Sequence, residues 1–268
     1  VCPDQEAAAV GGMDSQQKGG GKMGQVIAVV SGKGGTGKTS FVSHVGLCLA
    51  ALGNKVLCMD CDVGLRNLDI ALGMSDCAVL DFADVAHGIC SLEEAAVPHP
   101  IQKNLWLLTA PTTLYDPVEP EEFQAMLRQI RQRFDYCLID SAAGLGTGFR
   151  LAIADCDRCI VVSTTDPTSL RDAQRTVMEL DHLPRGRVHL VVNRCRKKLL
   201  RSLHQTIDDA IDAAGLPLLG VVPEDEDLPL ALGRGVPLVF SYNRCAGTAY
   251  RNIAARITGQ RVPLMRLR

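Results

Sequence analysis

Ser31-Gly32-Lys33-Gly34-Gly35-Thr36-Gly37-Lys38-Thr39 decides how this chain folds. From Gly32 onward it satisfies G-x-x-x-x-G-K-[ST], the spacing of a loop that cradles phosphates. Glycines let successive backbone N–H groups converge on phosphate oxygens with no Cβ in the way. A helix that follows such a loop turns its positive end toward the same anion. Lys38 is placed to reach β- and γ-phosphates, and the Thr39 hydroxyl to ligate Mg²⁺. Gly34, Gly35, Thr36, Gly37 and Ser40 complete the candidate phosphate site. Lys33 adds a second lysine where the pattern tolerates any residue. A glycine-rich turn can contain Lys-Thr by chance, but the flanks argue otherwise. Gln25–Ser31 is a short apolar run, as a buried parallel strand requires. Phe41–Leu52 repeats apolar residues every three or four positions, as a helix on a sheet does, and Gly53 can cap it.

Outward from the loop, strand and helix patterns alternate. Strands are expected at 25–31, 55–61, 104–109, 135–140, 158–163, 187–193 and 218–222. Helices are expected at 38–52, 121–133, 168–181, 199–214 and 245–257, with shorter ones near 80–87, 91–96, 147–154 and 227–233. Most of the strands are apolar throughout, so both faces are covered. The order implies an α/β fold, a doubly wound and mostly parallel sheet flanked by helices, with ligands at the carboxyl edge. Residues 1–22 are polar and glycine-rich and cannot build a core. They are expected to be a disordered extension, leaving 23–268 as a single domain.

Composition narrows the class. The 268 residues are 47% hydrophobic and 22% charged, ordinary for a globular chain. A net charge of −2 offers no global field for nucleic acid or anionic lipid. No apolar run reaches membrane-spanning length and no signal peptide is evident. Eleven cysteines, an odd number scattered through apparent strands and helices, point to reduced thiols in the cytoplasm rather than disulfides. Cys58/Cys61 and Cys156/Cys159 have C-x-x-C spacing, but an odd spacing on a strand sends side chains to opposite faces.

Three carboxylates stand where phosphate chemistry needs them. Val56-Leu57-Cys58-Met59 runs into Asp60-Cys61-Asp62, and Leu138-Ile139 into Asp140, which precedes Ser141-Ala142-Ala143-Gly144. An acid at a strand end beside the phosphate loop is how Mg²⁺ is held, usually through water. Asp60, Asp140 and Thr39 are therefore the candidate metal set.

The nine-residue stretch resembles the deviant Walker A loop of the MinD/ParA family of dimeric ATPases. Asp60-Cys61-Asp62-Val63-Gly64-Leu65-Arg66-Asn67-Leu68-Asp69 is similar to the switch I stretch of the MinD branch, whereas flagellar-number relatives more often have alanine in place of Arg66. Asp140–Gly144 resembles switch II, with Ala142 where proline is usual. Thr164–Asp172 and Gly220–Asp225 are also MinD-like, so the likeness spans residues 24 to 260. The resemblance implies a Mg²⁺-dependent ATPase that dimerises on ATP and acts as a spatial switch in division-site placement. It implies that Lys33 crosses the dimer interface to the partner's nucleotide. It assigns catalysis to Lys33, Lys38 and Asp62, with Asp62 orienting the attacking water, and adenine to Asn193 and Pro223. A protein activator and a division-inhibitor partner are further implications.

The likeness fails at the end of the chain. The family normally closes on an amphipathic membrane helix, whereas Arg261–Arg268 is short, mixes apolar with cationic residues and contains Pro263. Membrane binding is therefore left open. The basic run Arg194-Cys195-Arg196-Lys197-Lys198 with Arg201 reads best as a solvated loop and helix start, and DNA contact of the ParA kind is the lesser reading. A ParA-like cargo positioner and a flagellar or scaffold-regulating relative remain the alternatives.

Overall fold

The computed structural model describes residues 23–265 except 76, 114–115, 203, 205 and 229–244. The expected extension 1–22, and all but the start of the helix expected at 227–233, lie outside the described residues. The strands are β1 Gln25–Val30, β2 Val56–Cys61, β3 Val97–Pro98, β4 Leu105–Leu108, β5 Tyr136–Ser141, β6 Arg158–Ser163, β7 Val188–Cys195 and β8 Leu218–Pro223. They form one sheet in the order β3-β4-β2-β5-β1-β6-β7-β8. Every pairing is parallel except β3 with β4. The helices are α1 Lys38–Ala51, α2 Leu68–Leu72, α3 Phe82–Ala86, α4 Leu92–Ala95, α5 Pro120–Arg133, α6 Thr147–Ala154, α7 Pro167–Met178, α8 Lys197–Ser202, α9 Ile207–Ala214 and α10 Cys245–Ile257.

The sheet separates two apolar cores. Val26, Ala28 and Val30 of β1 enter the core shared with α3 to α7 and α9. Ile27 and Val29 enter the other, under α1, α2 and α10. Alternation along one strand thus feeds both layers, which is why the strand reads as continuously apolar. Cys58 and Cys61 fall into opposite cores, as their spacing requires. Among the described residues no helix is long and apolar enough to cross a membrane.

Helix α1 carries the phosphate loop and is buried along most of its length. The sheet covers one side and α10 the other, where Tyr250 stacks on His44 with ring centroids 4.9 Å apart. Burial pushes the His44 imidazole down to about 4, so it is neutral, and its Nδ1 lies 2.7 Å from the Ser40 carbonyl. Gly46 lets α1 approach the sheet: a Cβ there would lie 2.4 Å from the Cys58 Sγ. Gly53, at φ 89°, ends the helix as expected.

Three local expectations change. The helix expected over 199–214 is two helices, because His204 adopts φ 51° and Thr206 caps α9, its hydroxyl accepting from the Asp209 N–H. α2, of five residues and not expected, starts at the end of the switch-like string, just after Arg66 at φ 45°. The two-residue edge strand β3 is too short to show a period.

The register builds the site. Asp60 of β2 is paired with Asp140 of β5, and β5 also borders β1, whose end opens into the phosphate loop. Two carboxylates and the loop thus meet at one carboxyl edge. Gly46→Ala tests the packing that holds this edge. Alanine favours a helix over glycine, yet the clash with Cys58 should lower the melting midpoint by an equivalent of ~1–3 kcal/mol. Cys58→Ala in the same chain should recover part of that loss. A single variant more stable than the parent in thermal denaturation contradicts the close approach.

Candidate functional site

The loop between β1 and α1 is shaped by two left-handed glycines, Gly35 at φ 78° and Gly37 at φ 91°. Gly37 must also be small, since a Cβ would lie 2.4 Å from the Asn193 amide nitrogen. Lys38 opens α1 and folds back, its Nζ donating to the Ser31 hydroxyl at 2.9 Å. That hydroxyl donates to the Lys33 carbonyl at 2.7 Å. Burial lowers the Lys38 pKa, and the carboxylates of Asp140 and Asp62 oppose the shift. The ammonium is therefore a poorly hydrated cation facing acids, the right condition for gripping an anion.

Asp140 is fully enclosed at the end of β5. Burial first, and Asp60 second, push its carboxyl up to about 7. The nearby Thr39 hydroxyl opposes that rise, while Oδ1 is buried with no hydrogen-bond partner. Asp60 is raised to about 6 by burial, although Oδ1 accepts the Asp62 N–H at 2.8 Å and Oδ2 the Leu68 N–H at 3.1 Å. Asp60 therefore organises the loop into α2, and each oxygen keeps a lone pair. Hydroxyl and carboxylate oxygens with one buried atom unsatisfied suit a hard divalent cation, so Thr39, Asp140 and Asp60 fit Mg²⁺. Asp62 is half-buried and coupled to Lys38, with burial raising its carboxyl.

Lys33 points along the surface of its own chain. Its Nζ donates to Asp166 Oδ1 at 3.0 Å and to the Thr168 hydroxyl at 2.9 Å. Asp166 is the N-cap of α7, and its carboxylate accepts the Ser169 N–H at 2.9 Å and the hydroxyls of Thr164 and Thr168. Burial alone would raise it, but these donors and Lys33 together hold it well below the usual carboxylate range. Asp166 and Thr168 were not among the residues assigned from sequence, although Asp-Pro-Thr-Ser is a legible helix start.

The expected adenine contacts are placed unequally. Asn193 is buried, with its amide donating to the Thr36 carbonyl at 2.8 Å, so it braces the phosphate loop. Pro223 ends β8 beside it, paired with Cys195. A cleft of about 370 Å³ runs between Gly34–Thr36, Thr164–Pro167, Arg194 and Glu224. Arg194 and Arg196 both ion-pair with the one carboxylate of Glu224, so the front of the basic run is engaged within its own chain and its charge is halved rather than cancelled. Ser31, Arg194 and Glu224 stand in stretches quoted from the sequence, but their site roles are not legible there because single polar residues carry no period.

A buried lysine, two enclosed acids and a glycine loop at a parallel sheet edge define a phosphate-binding α/β site. Residues 27–238 match the CobQ/CobB/MinD/ParA nucleotide binding domain. The chain is 37% identical over 247 residues to the septum site-determining protein MinD of Synechocystis, covering 91% of this chain and 92% of that one. MinD of Bacillus subtilis is also 37% identical, covering 90% and 92%. The MinC:MinD cell division complex of Aquifex aeolicus superposes with a TM-score of 0.84 at 33% identity, covering 90% and 98%. Pyrococcus horikoshii MinD complexed with Mg-ADP gives 0.77 at 27%, covering 88% and 96%. The chain belongs to the MinD family: it is a P-loop ATPase that acts in division-site placement.

The acid pair makes the empty-handed protein pH-sensitive. Folding raises the Asp140 pKa above its ordinary value of 3.8 to about 7. Between those values the folded state keeps a proton that the unfolded state has lost, so stability declines as pH rises through the window. Asp140→Asn should therefore raise the melting midpoint at pH 8 by about 3 °C and by under ~1 °C at pH 4. A nucleotide-free variant that melts lower than the parent at pH 8 contradicts this.

Proposed function

We propose that this ATPase is a timed spatial switch, in which ATP joins two copies of the chain and hydrolysis separates them. The observation that carries the reading is the location of Lys33. It stands beside a built phosphate loop yet is spent on Asp166 and Thr168, with its side chain 35% exposed and that of Asp166 47% exposed. An ion pair that open to water contributes only ~0–1 kcal/mol, so it exchanges readily for a stronger partner. A triphosphate seated in a second copy is such a partner. A cation supplied across an interface then acts on the transferring phosphate as an arginine finger does.

Within each copy the loop amides and Lys38 hold the triphosphate. Thr39, Asp140 and Asp60 would hold Mg²⁺, which would supply neutralising charge to the phosphates. Asp62, whose N–H is held by Asp60 Oδ1, orients the water that attacks the γ-phosphate. Gly144 donates its N–H to the Ser31 carbonyl at 3.1 Å, so loss of phosphate is felt directly by the segment after Asp140. Asn193 and Pro223 border the adenine.

A division inhibitor is the partner this reading favours, by likeness to the Aquifex MinC:MinD complex. The switch works from the cytoplasm, and a protein activator sets its rate. Engagement of both Arg194 and Arg196 by Glu224 within the chain favours this role over retention on DNA. Lys38→Ala should abolish ATP and ADP binding in calorimetry. Asp62→Ala should bind ATP normally while phosphate release falls on the order of 100-fold. Full binding by the first, or undiminished turnover by the second, refutes the assigned roles.

A further inference from the structure

Strand β7 carries one residue more than its neighbour at the site. Val192 pairs with Val221 and Cys195 with Pro223, so three steps on β7 match two on β8. The extra length is taken up at Asn193 and Arg194, and Arg194 adopts φ 54°, a left-handed conformation that a non-glycine residue adopts at a cost. The bulge aims two consecutive side chains at two consecutive carbonyls of the phosphate loop. Asn193 donates to the Thr36 carbonyl at 2.8 Å and Arg194 Nη1 to the Gly35 carbonyl at 3.2 Å. The pair is locked together, since the Arg194 N–H donates to the Asn193 side-chain oxygen at 3.0 Å. On its far side Arg194 Nη2 rests on Glu224 at 3.2 Å.

A trans peptide is planar, so its N–H points opposite to its C=O. Anchoring the Gly35 carbonyl from outside therefore directs the Thr36 N–H inward, and anchoring the Thr36 carbonyl does the same for the Gly37 N–H. These peptides need such anchors. Gly35 has no atom within 4 Å of where a Cβ would be, so no packing on that side limits its rotation. We propose that Arg194 is a positioning residue for phosphate binding: its guanidinium holds the Gly35 carbonyl so that the Thr36 N–H faces the phosphates before nucleotide arrives. It acts through the backbone of the loop and touches no ligand. The inference rests on the nucleotide-binding reading of the loop, which the parent protein tests independently by binding ADP.

The variant keeps its fold for a visible reason. The Arg194 side chain is more than half exposed, and Glu224 keeps Arg196 when Arg194 is lost. Calorimetry of the parent, Arg194→Ala and Arg194→Lys with ADP and with adenosine makes the test. Arg194→Ala should weaken ADP about tenfold, change adenosine by less than about twofold, and move the nucleotide-free melting midpoint by under about 2 °C. Arg194→Lys retains one donor without the fork that spans Gly35 and Glu224, so it should fall between the two. Unchanged ADP affinity overturns the proposal. Equal losses for ADP and adenosine also overturn it, because they place Arg194 on the base. If Arg194→Ala fails to fold, Arg194→Lys carries the same comparison: a selective ADP loss supports the role, and none removes it.

Discussion

One buried ammonium, the buried carboxylate of Asp140 that faces it and the buried Asp60 beside Asp140 set the terms for the whole structure. Lys38, Asp60 and Asp140 are almost entirely withdrawn from water at one edge of the sheet. Such charges are costly unless matched, and here they are matched only in part. Asp140 retains a buried oxygen without a partner, and its carboxyl is driven up by burial and by Asp60. The site is thus poised for a ligand that brings both an anion for Lys38 and a cation for the acids, which is what a metal–nucleotide pair is. The register of β2 with β5, the close seat of α1 on Cys58 and the glycines of the loop all serve to bring these groups together.

The surrounding braces divide the labour. Asp60 ties the strand end to α2 through two backbone amides, which lets a five-residue helix persist in a loop. Asn193 and Arg194 hold the loop carbonyls from β7, and Gly144 reports to Ser31 from the other side. Lys33 alone of the loop's cations is held at the surface, by partners that solvent can replace. A rigid phosphate cradle with one releasable cation is the physical form of a switch. In the switch proposed above, binding is prepared in advance and Lys33 is the group kept in reserve for a second copy.

Much of this was legible in the sequence, for a local reason. The loop, β1 and α1 follow from spacing and period within about thirty residues, and Asp60, Asp62 and Asp140 follow from acids at the ends of apolar runs. What sequence does not display is pairing at a distance. Lys33 meets Asp166 from 133 positions away, and nothing around either residue announces it. Arg194 reaches Gly35 only because a bulge re-aims it, and a bulge has no compositional mark in an apolar strand. Asn193 is an adenine residue by resemblance, and its second task, bracing the Thr36 carbonyl, has no mark in the sequence. The break at His204 was hidden because both flanking segments are helical and the apolar period runs through. β3 and α2 span little more than one period each, too few to show a repeat.

The account stands or falls on Lys33 leaving its own chain for a neighbour's triphosphate. Sedimentation velocity of the protein with Mg²⁺ and a non-hydrolysable ATP analogue, beside Lys33→Ala under the same conditions, tests this directly. The account predicts a two-copy species for the parent, a single-copy species with ADP, and a single-copy species for the variant even though it still binds the analogue. A parent that stays single with the analogue, or a variant that pairs as well as the parent, contradicts it.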